Sequence, residues 1–173
     1  MAIFGKKVLM VVAPKNFRDE EYLEPRRALE EAGAKVTVAS KGVDTATGML
    51  GARVTVDKDV SQAKAGDYDA VIFVGGGGAS AYFNDQEVLN LAKESLGAGR
   101  ITAAICIAPS ILANAGLLRG KKATSFPSEK GNLSSKGATY LSQNVVEDGL
   151  IVTAPGPQAA REFGMKIAEK LAG

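Results

Sequence analysis

Hydrophobic and polar positions follow two periods along the chain, one typical of buried strands and one of amphipathic helices. Short apolar runs predict strands at residues 7–13, 35–40, 70–74 and 101–105, and a shorter alternating run predicts an edge strand at 53–57. Apolar residues at helical spacing predict helices over 19–32, over 86–96, from Ile107 onward and over 158–172. Because strands alternate with helices, we expect a mostly parallel central sheet with helices on both faces.

The carboxyl-terminal third of the chain contains shorter predicted strands. Residues 122–125 predict a short strand, and the segment from Val145 to Thr153 predicts a hairpin with Asp148 and Gly149 at its turn. No linker or internal repeat interrupts the pattern. The simplest expectation is one α/β domain over residues 1–173, which is long enough to bury a core.

Composition and charge narrow the class of protein. Hydrophobic residues make up 46% of the chain and charged residues 23%, as in folded globular proteins. The net charge of +2 gives no reason to expect a nucleic-acid or membrane partner. No apolar run approaches the ~18 residues of a membrane-spanning helix, and the first residues do not resemble a signal peptide. A single cysteine fits a reducing compartment, so we expect a cytoplasmic protein.

That single cysteine, Cys106, lies where the strand pattern of 101–105 gives way to a helical pattern with Pro109 in its first turn. A residue at such a junction is pushed out of the sheet, often with a strained backbone. The amides that follow and the helix N-terminus favour an anion, so we predict a nucleophile that tends toward the thiolate. The alternative is a buried cysteine that acts as a small hydrophobic residue.

The chain contains no histidine. A Cys-His dyad and a histidine-ligated zinc site are therefore excluded for this chain and for a dimer of it. Any acid–base chemistry must use Asp, Glu, Lys, Tyr or the thiol itself.

Two further segments are expected to meet Cys106 beyond the carboxyl ends of the parallel strands. One carries three consecutive carboxylates, Asp19, Glu20 and Glu21, after the first strand; alternatively, these only stabilise a helix start. The other is the glycine run that begins at Gly75, where backbone amides can approach an anion. Its Gly75-x-Gly77 fragment is a weak match to a dinucleotide motif, and tight-turn glycines explain it better.

Four ordered motifs resemble the PfpI/ThiJ superfamily of class I glutamine amidotransferase-like proteins, which includes the Parkinson-disease-associated deglycase. They are the segment Ala13 to Pro25 with Glu21, the strand and glycine run from Val71, the segment Ala103 to Pro109 around Cys106, and Asp148 to Pro157. These motifs span nearly the whole chain.

The resemblance implies a flavodoxin-like three-layer sandwich, a homodimer or higher oligomer, and no cofactor or metal. It also implies a reactive elbow cysteine, Cys106, hydrogen-bonded to a protonated Glu21, with Glu20 as a possible substitute. Gly75, Gly76 and Ile107 would bind the substrate oxygen. Phe17, Phe126 and Pro127 are candidates for the pocket wall.

Members of this superfamily resemble peptidases, glyoxalases, deglycases, chaperones or oxidation sensors, so the resemblance alone does not choose an activity. PfpI-type peptidases carry histidine directly after the nucleophile, where this chain has Ile107, which makes a peptidase less favoured. The deglycase-like branch often has a histidine where this chain has Phe126. We predict a cysteine-dependent glyoxalase or deglycase that acts on α-oxoaldehydes or their adducts in stress protection. The alternatives are a redox sensor or a chaperone-like protein.

Overall fold

The computed structural model describes residues 2–173. Its strands are β1 Lys7–Val11, β2 Lys15–Phe17, β3 Lys35–Ser40, β4 Thr45–Gly48, β5 Arg53–Thr55, β6 Lys58–Asp59, β7 Ala70–Phe73, β8 Ile101–Ile105, β9 Lys122–Ala123, β10 Thr139–Tyr140, β11 Val146–Asp148 and β12 Ile151–Ala154. Its α-helices are α1 Asp19–Glu31, α2 Gln86–Gly97, α3 Pro109–Asn114, α4 Lys130–Ser135 and α5 Ala160–Ala172.

Seven of the strands form the central sheet, in the order β11-β12-β8-β7-β1-β3-β6. All neighbours are parallel except β11 and β12, which form an antiparallel hairpin at one edge. Strands β7, β8 and β12 are buried along their whole length, which explains why they read as continuous apolar runs. The predicted α/β architecture with a mostly parallel sheet is therefore confirmed.

Two hydrophobic layers hold the helices on the two faces of this sheet. Alternate residues of β1 enter different layers: Val8 and Met10 pack with α1 and α5, whereas Leu9 and Val11 pack with α2 and α3. This alternation is what the pleat of a strand requires when both faces are covered. The arrangement is the three-layer sandwich that the sequence predicted.

Helices α1 and α5 approach each other closely at one point. A Cβ added to Gly164 of α5 would lie 2.6 Å from the Cα of Pro25 in α1, so only glycine fits there. Pro25 lies inside α1 and has no amide hydrogen to donate to the carbonyl of Glu21, four residues earlier. The helical hydrogen-bond ladder is thus interrupted beside the residue that the sequence marked as catalytic.

The structure differs from the predicted elements where strands are short and polar. Strands β2, β4, β6 and β10 were not predicted. Strands β2 and β4 join β5 in a separate three-stranded sheet, in which β5 is an edge strand as expected, and β10 pairs with β9. Helix α4, with only Leu133 buried, was also not predicted. Such elements carry too few apolar residues to show a period.

Several predicted boundaries also shift by a few residues. Strand β1 ends at Val11 rather than at residue 13, β9 ends at Ala123, and α5 is preceded by a 3₁₀ turn. The hairpin turn consists of Gly149 and Leu150, one residue later than predicted, because Gly149 supplies the positive φ of 60°. Within residues 2–173, no helix combines the length and the apolar character needed to cross a bilayer.

Candidate functional site

Cys106 occupies the predicted elbow between β8 and α3. Its φ is 65°, one of only two positive φ values at non-glycine residues within the described part of the chain. Two backbone hydrogen bonds hold this conformation: the Cys106 amide donates to Ala154 at 2.9 Å, and the Phe126 amide donates to the Cys106 carbonyl at 2.7 Å. The side chain is only 8% exposed. Hydrogen bonds with neighbouring segments therefore hold Cys106 in a strained backbone conformation, as is typical of functional sites.

The glycine run after β7 packs directly against this elbow. A Cβ on Gly75 would lie 2.5 Å from the Cβ of Cys106 and 2.6 Å from Oε1 of Glu21. Gly76 has a φ of 99°, and a Cβ there would overlap the amide nitrogen of Arg18. Close packing explains Gly75, whereas Gly76 also needs the positive φ of a turn, which was the predicted reason for the glycine run. The loop continues into a 3₁₀ turn at Gly77–Tyr82.

Backbone amides from both segments surround the sulfur of Cys106. The amides of Gly76 and Ile107 interact with the thiol and favour its ionised form. The amide of Gly75 interacts instead with the Glu21 carboxyl group. The structure therefore places the amides of Gly76 and Ile107 at the thiol and the amide of Gly75 at the carboxyl group.

Glu21 brings the carboxyl group to the thiol from the first turn of α1. Its side chain is fully buried, and neither carboxyl oxygen has a hydrogen-bond partner of ordinary geometry within residues 2–173. A buried carboxyl group without full partners is costly when ionised, so it tends to hold a proton. Burial accordingly raises the pKa of Glu21 from 4.5 to about 7, although the Cys106 thiol and the charge of Arg18 oppose this rise.

The thiol does not have the lowered pKa that the sequence predicted. Burial, together with the negative charge of Glu21, raises the pKa of Cys106 to about 12. The amides of Gly76 and Ile107 act in the opposite direction but do not outweigh burial. Around neutral pH the pair therefore consists of a thiol beside a carboxyl group that readily gains or loses its proton.

The other two carboxylates in the first turn of α1 have different partners. Glu20 pairs with Arg18 through two contacts of 2.8 and 2.9 Å, and this pairing lowers its pKa. Asp19 is buried and accepts hydrogen bonds of 2.8 Å from the amides of Leu50 and Ala52, which fixes the turn after β4. Glu21 is therefore the acid at Cys106, and the substitute considered for it, Glu20, faces Arg18 instead.

The three candidates for a pocket wall occupy different environments. Phe17 is fully buried and packs edge-on against Tyr22, with ring centroids 5.7 Å apart, so it supports the core and cannot line a pocket. Phe126 is 45% exposed and is joined to Cys106 through its backbone amide. Pro127 lines a separate cleft with Thr124 and Tyr140. Of the three, Phe126 is the residue tied directly to the elbow.

Arg18 is a site residue that the sequence analysis did not single out. Its amide donates to the carbonyl of Gly75 at 2.9 Å, and its guanidinium group holds Glu20. Its positive charge also lowers the pKa of Glu21. A basic residue directly before three acidic ones was the available signal, because such a residue can pair with a neighbouring carboxylate at the helix start, as Arg18 does with Glu20.

Comparison with known proteins matches the chain to one family and to several relatives. A sequence model of the DJ-1/PfpI family matches residues 6–170. A protein from Methanocaldococcus jannaschii is 42% identical over 95% of this chain and 82% of its own length. The dj-1beta protein of Drosophila melanogaster is 35% identical, covering 98% of this chain and 91% of the relative. A deglycase of Pyrococcus horikoshii is 33% identical, covering 87% and 90%.

Solved structures show the same similarity. The crystal structure of a ThiJ/PfpI domain protein from Brachyspira murdochii superposes with a TM-score of 0.94 at 36% identity, covering 97% of this chain and 98% of that one. Both kinds of comparison span almost the whole chain.

Proposed function

Since the chain belongs to the DJ-1/PfpI family, we propose that it is a cysteine-dependent enzyme of the glyoxalase or deglycase type that acts on α-oxoaldehydes or their adducts. The observation that carries this proposal is the pair formed by Cys106 at a strained elbow and the fully buried Glu21. Relatives from two Pyrococcus species at 33% and 32% identity are named deglycases, which supports the same class of activity.

The raised pKa of Glu21 suits it to proton transfer with Cys106. A carboxylate whose pKa is near neutrality accepts a proton more readily than an ordinary one, so Glu21 can take the thiol proton as the sulfur attacks an aldehyde carbon. The resulting hemithioacetal oxygen lies near the amides of Gly76 and Ile107, which stabilise its negative charge until it is protonated. Nucleophile activation in this mechanism does not require a resting thiolate.

The remaining steps convert the hemithioacetal to a hydroxy acid. Glu21 removes the proton from the carbon bonded to sulfur and returns one to the adjacent carbon, which turns the hemithioacetal into a thioester. Water then cleaves the thioester, which releases the hydroxy acid and regenerates the thiol. No net oxidation or reduction occurs, because the aldehyde carbon is oxidised while its neighbour is reduced.

The small exposure of Cys106 supports a small substrate. With 8% of the residue accessible, a compact dicarbonyl compound needs only a limited opening, whereas an extended peptide would need a groove along the elbow. Ile107 stands where peptidases of the family carry histidine. Both features favour α-oxoaldehyde chemistry over peptide hydrolysis.

Conversion of methylglyoxal to lactate tests this proposal. We expect the wild-type protein to be active, and Cys106→Ser and Glu21→Gln each to lose at least about a hundred-fold in kcat/KM. Glu20→Gln is the matched control, because it removes a neighbouring carboxylate that faces Arg18, and it should retain most activity. Full activity in Cys106→Ala, or no turnover of any α-oxoaldehyde by the wild type, would contradict the proposal.

A second candidate function is oxidation sensing. Glu21 holds a proton around neutral pH and could donate it to a sulfinate formed on Cys106, which would stabilise that oxidation state. Mild peroxide treatment followed by intact-mass measurement checks this: a stop at two added oxygens on Cys106 supports sensing, and an unreacted thiol excludes it. The raised pKa of Cys106 makes this the less favoured function.

The same chain is proposed to form a homodimer through the outer face of α1. Leu23, Met49 and Leu50 are all exposed by 45% or more. Asp19, one helical turn before Leu23, fixes the turn that carries Leu50, so these apolar side chains lie in one region. Light scattering after size exclusion should give twice the monomer mass, and Leu23→Glu should shift the protein toward a monomer.

A further inference from the structure

A polar cleft lies away from Cys106, beside the amino ends of β1 and β3. It has a volume of about 510 Å³, and its lining includes Lys7, Lys35 and Lys58 from three neighbouring strands. Lys7 and Lys35 begin β1 and β3, whereas Cys106 follows the carboxyl end of β8. Because these strands are parallel, Lys7 and Lys35 lie at the opposite end of the sheet from Cys106.

Strand register places the three lysines on one face of the sheet. Lys7 pairs directly with Lys35, and Lys58 pairs with Ala39, four residues farther along β3. Lys35, Thr37 and Ala39 point to the same face because side chains alternate along a strand. Thr37 therefore lies on the same face of the sheet, between the positions of Lys35 and Ala39 on β3.

Three lysines and one carboxylate line the cleft, and Asp57 and Asp69 lie next to it. Within residues 2–173, none of the three lysines lies within ion-pair distance of a carboxylate. Asp69 accepts a hydrogen bond from the backbone amide of Lys7 at 2.8 Å, and Asp57 accepts one from the amide of Val38 at 2.9 Å. Asp67 is the single carboxylate in the lining, against three ammonium groups.

Hydroxyl groups complete a set of donors suited to an oxyanion. Tyr68 is buried and lines the cleft, and its hydroxyl interacts with that of Thr37. Like charges directly opposite each other on paired strands repel, so the Lys7–Lys35 pair is unfavourable unless an anion lies between its members. Ammonium groups are flexible point charges with three donors each, which suits them to the oxygens of a phosphate group.

We propose that this cleft binds a small soluble molecule that carries two or more phosphate groups, held by Lys7, Lys35 and Lys58 and by the Thr37 hydroxyl. The volume fits a compact ligand, and the cleft brings together lysines from three neighbouring strands. The near-zero net charge of the chain as a whole also argues for a local site over general attraction to polyanions.

Thermal denaturation with inorganic tripolyphosphate, at an ionic strength held constant with KCl, tests this site. At about ten times its Kd the probe should raise the Tm by about 3–6 °C. Lys7→Gln/Lys35→Gln should bind about ten-fold more weakly. The double variant Lys93→Gln/Lys136→Gln loses the same charge at exposed positions outside the cleft and should bind like the wild type.

Amide chemical shifts locate the probe independently of stability. Tripolyphosphate should shift the signals of Thr37, Gly66 and Tyr68 and leave that of Cys106 unchanged. Equal affinity in both double variants, or no binding by the wild type at millimolar probe, would overturn the proposal. Binding to vesicles of anionic phospholipid without binding to free tripolyphosphate would also overturn it, in favour of a lipid headgroup. Methylglyoxal turnover by Lys7→Gln/Lys35→Gln should be unchanged, so this test is independent of the proposed activity.

Discussion

Replacing Glu21 with Gln should remove a pH dependence of stability that this one side chain imposes. The folded protein raises the pKa of Glu21 to about 7 from 4.5, whereas the unfolded chain restores the ordinary value. Below pH 4.5 the group is protonated in both states and has no effect. Between pH 4.5 and 7 the folded state holds a proton that the unfolded state has released, so stability falls as the pH rises.

The size of this effect follows from the difference of about 2.5 between the two pKa values. Each pKa unit corresponds to about 1.4 kcal/mol, which gives a loss of about 3 kcal/mol above pH 7 relative to pH 4. About 2 kcal/mol of this loss falls between pH 5 and 7.5. For a chain of this length that amounts to a decrease in Tm of about 5–10 °C.

Because the chain has no histidine, the change in stability between pH 5 and 7.5 can be assigned to few groups. No imidazole titrates between pH 5 and 7.5, and the shifted pKa of Cys106, about 12, lies far above it. The pKa of Glu20 is lowered by its hydrogen bonds with Arg18, so Glu20 is already ionised in this interval.

The assay is a series of urea or thermal unfolding curves for wild type, Glu21→Gln and Glu20→Gln from pH 5 to 7.5. Wild type and Glu20→Gln should lose stability together as the pH rises, whereas Glu21→Gln should stay nearly constant. Because only the slopes are compared, a constant offset caused by the amide does not matter. Equal slopes in wild type and Glu21→Gln would refute the assignment of a raised pKa to Glu21.

Three further substitutions have defined outcomes. Gly75→Ala forces a Cβ against Cys106 and should cost about 1–3 kcal/mol of stability and abolish turnover, as measured by urea unfolding and the methylglyoxal assay; unchanged stability would contradict the close packing. At the positive φ of Cys106, Cys106→Gly should be about 1 kcal/mol more stable than Cys106→Ala, the reverse of the usual order in helices and strands. Asp19→Ala leaves the amides of Leu50 and Ala52 without their acceptor and should cost about 2–3 kcal/mol, with a loss below about 0.5 kcal/mol counting against that role.

The elements that local pattern specifies were predictable from the sequence. Strand Ile101–Ile105 and the turn into Pro109–Asn114 follow from a continuous apolar run that changes to helical spacing, and Lys35–Ser40 was predicted to the residue. Strands Lys15–Phe17 and Thr45–Gly48 were not predictable, because their hydrogen bonds join segments about thirty residues apart and their side chains are mostly polar.

The chemistry at Cys106 was only partly predictable. The position of the thiol followed from the elbow, and the choice of Glu21 came from a family resemblance. Only packing separates Glu21, which is fully buried, from Glu20, whose side chain is 39% exposed. The prediction that the pKa of Cys106 is lowered was wrong. It rested on the helix N-terminus, which can be predicted from the sequence, whereas burial and the facing carboxyl group raise the pKa and depend on the complete fold.

The attachment of Phe126 to the elbow makes the site accessible to a spectroscopic reporter. Its amide donates to the Cys106 carbonyl while its ring remains partly exposed, so the backbone at residue 126 is held next to the elbow. In a chain without histidine, Phe126→His would introduce one imidazole whose proton resonances have no counterpart elsewhere in the protein. Its titration curve would report the local electrostatic potential beside Cys106 and Glu21 as Glu21 changes protonation and as Cys106 is alkylated.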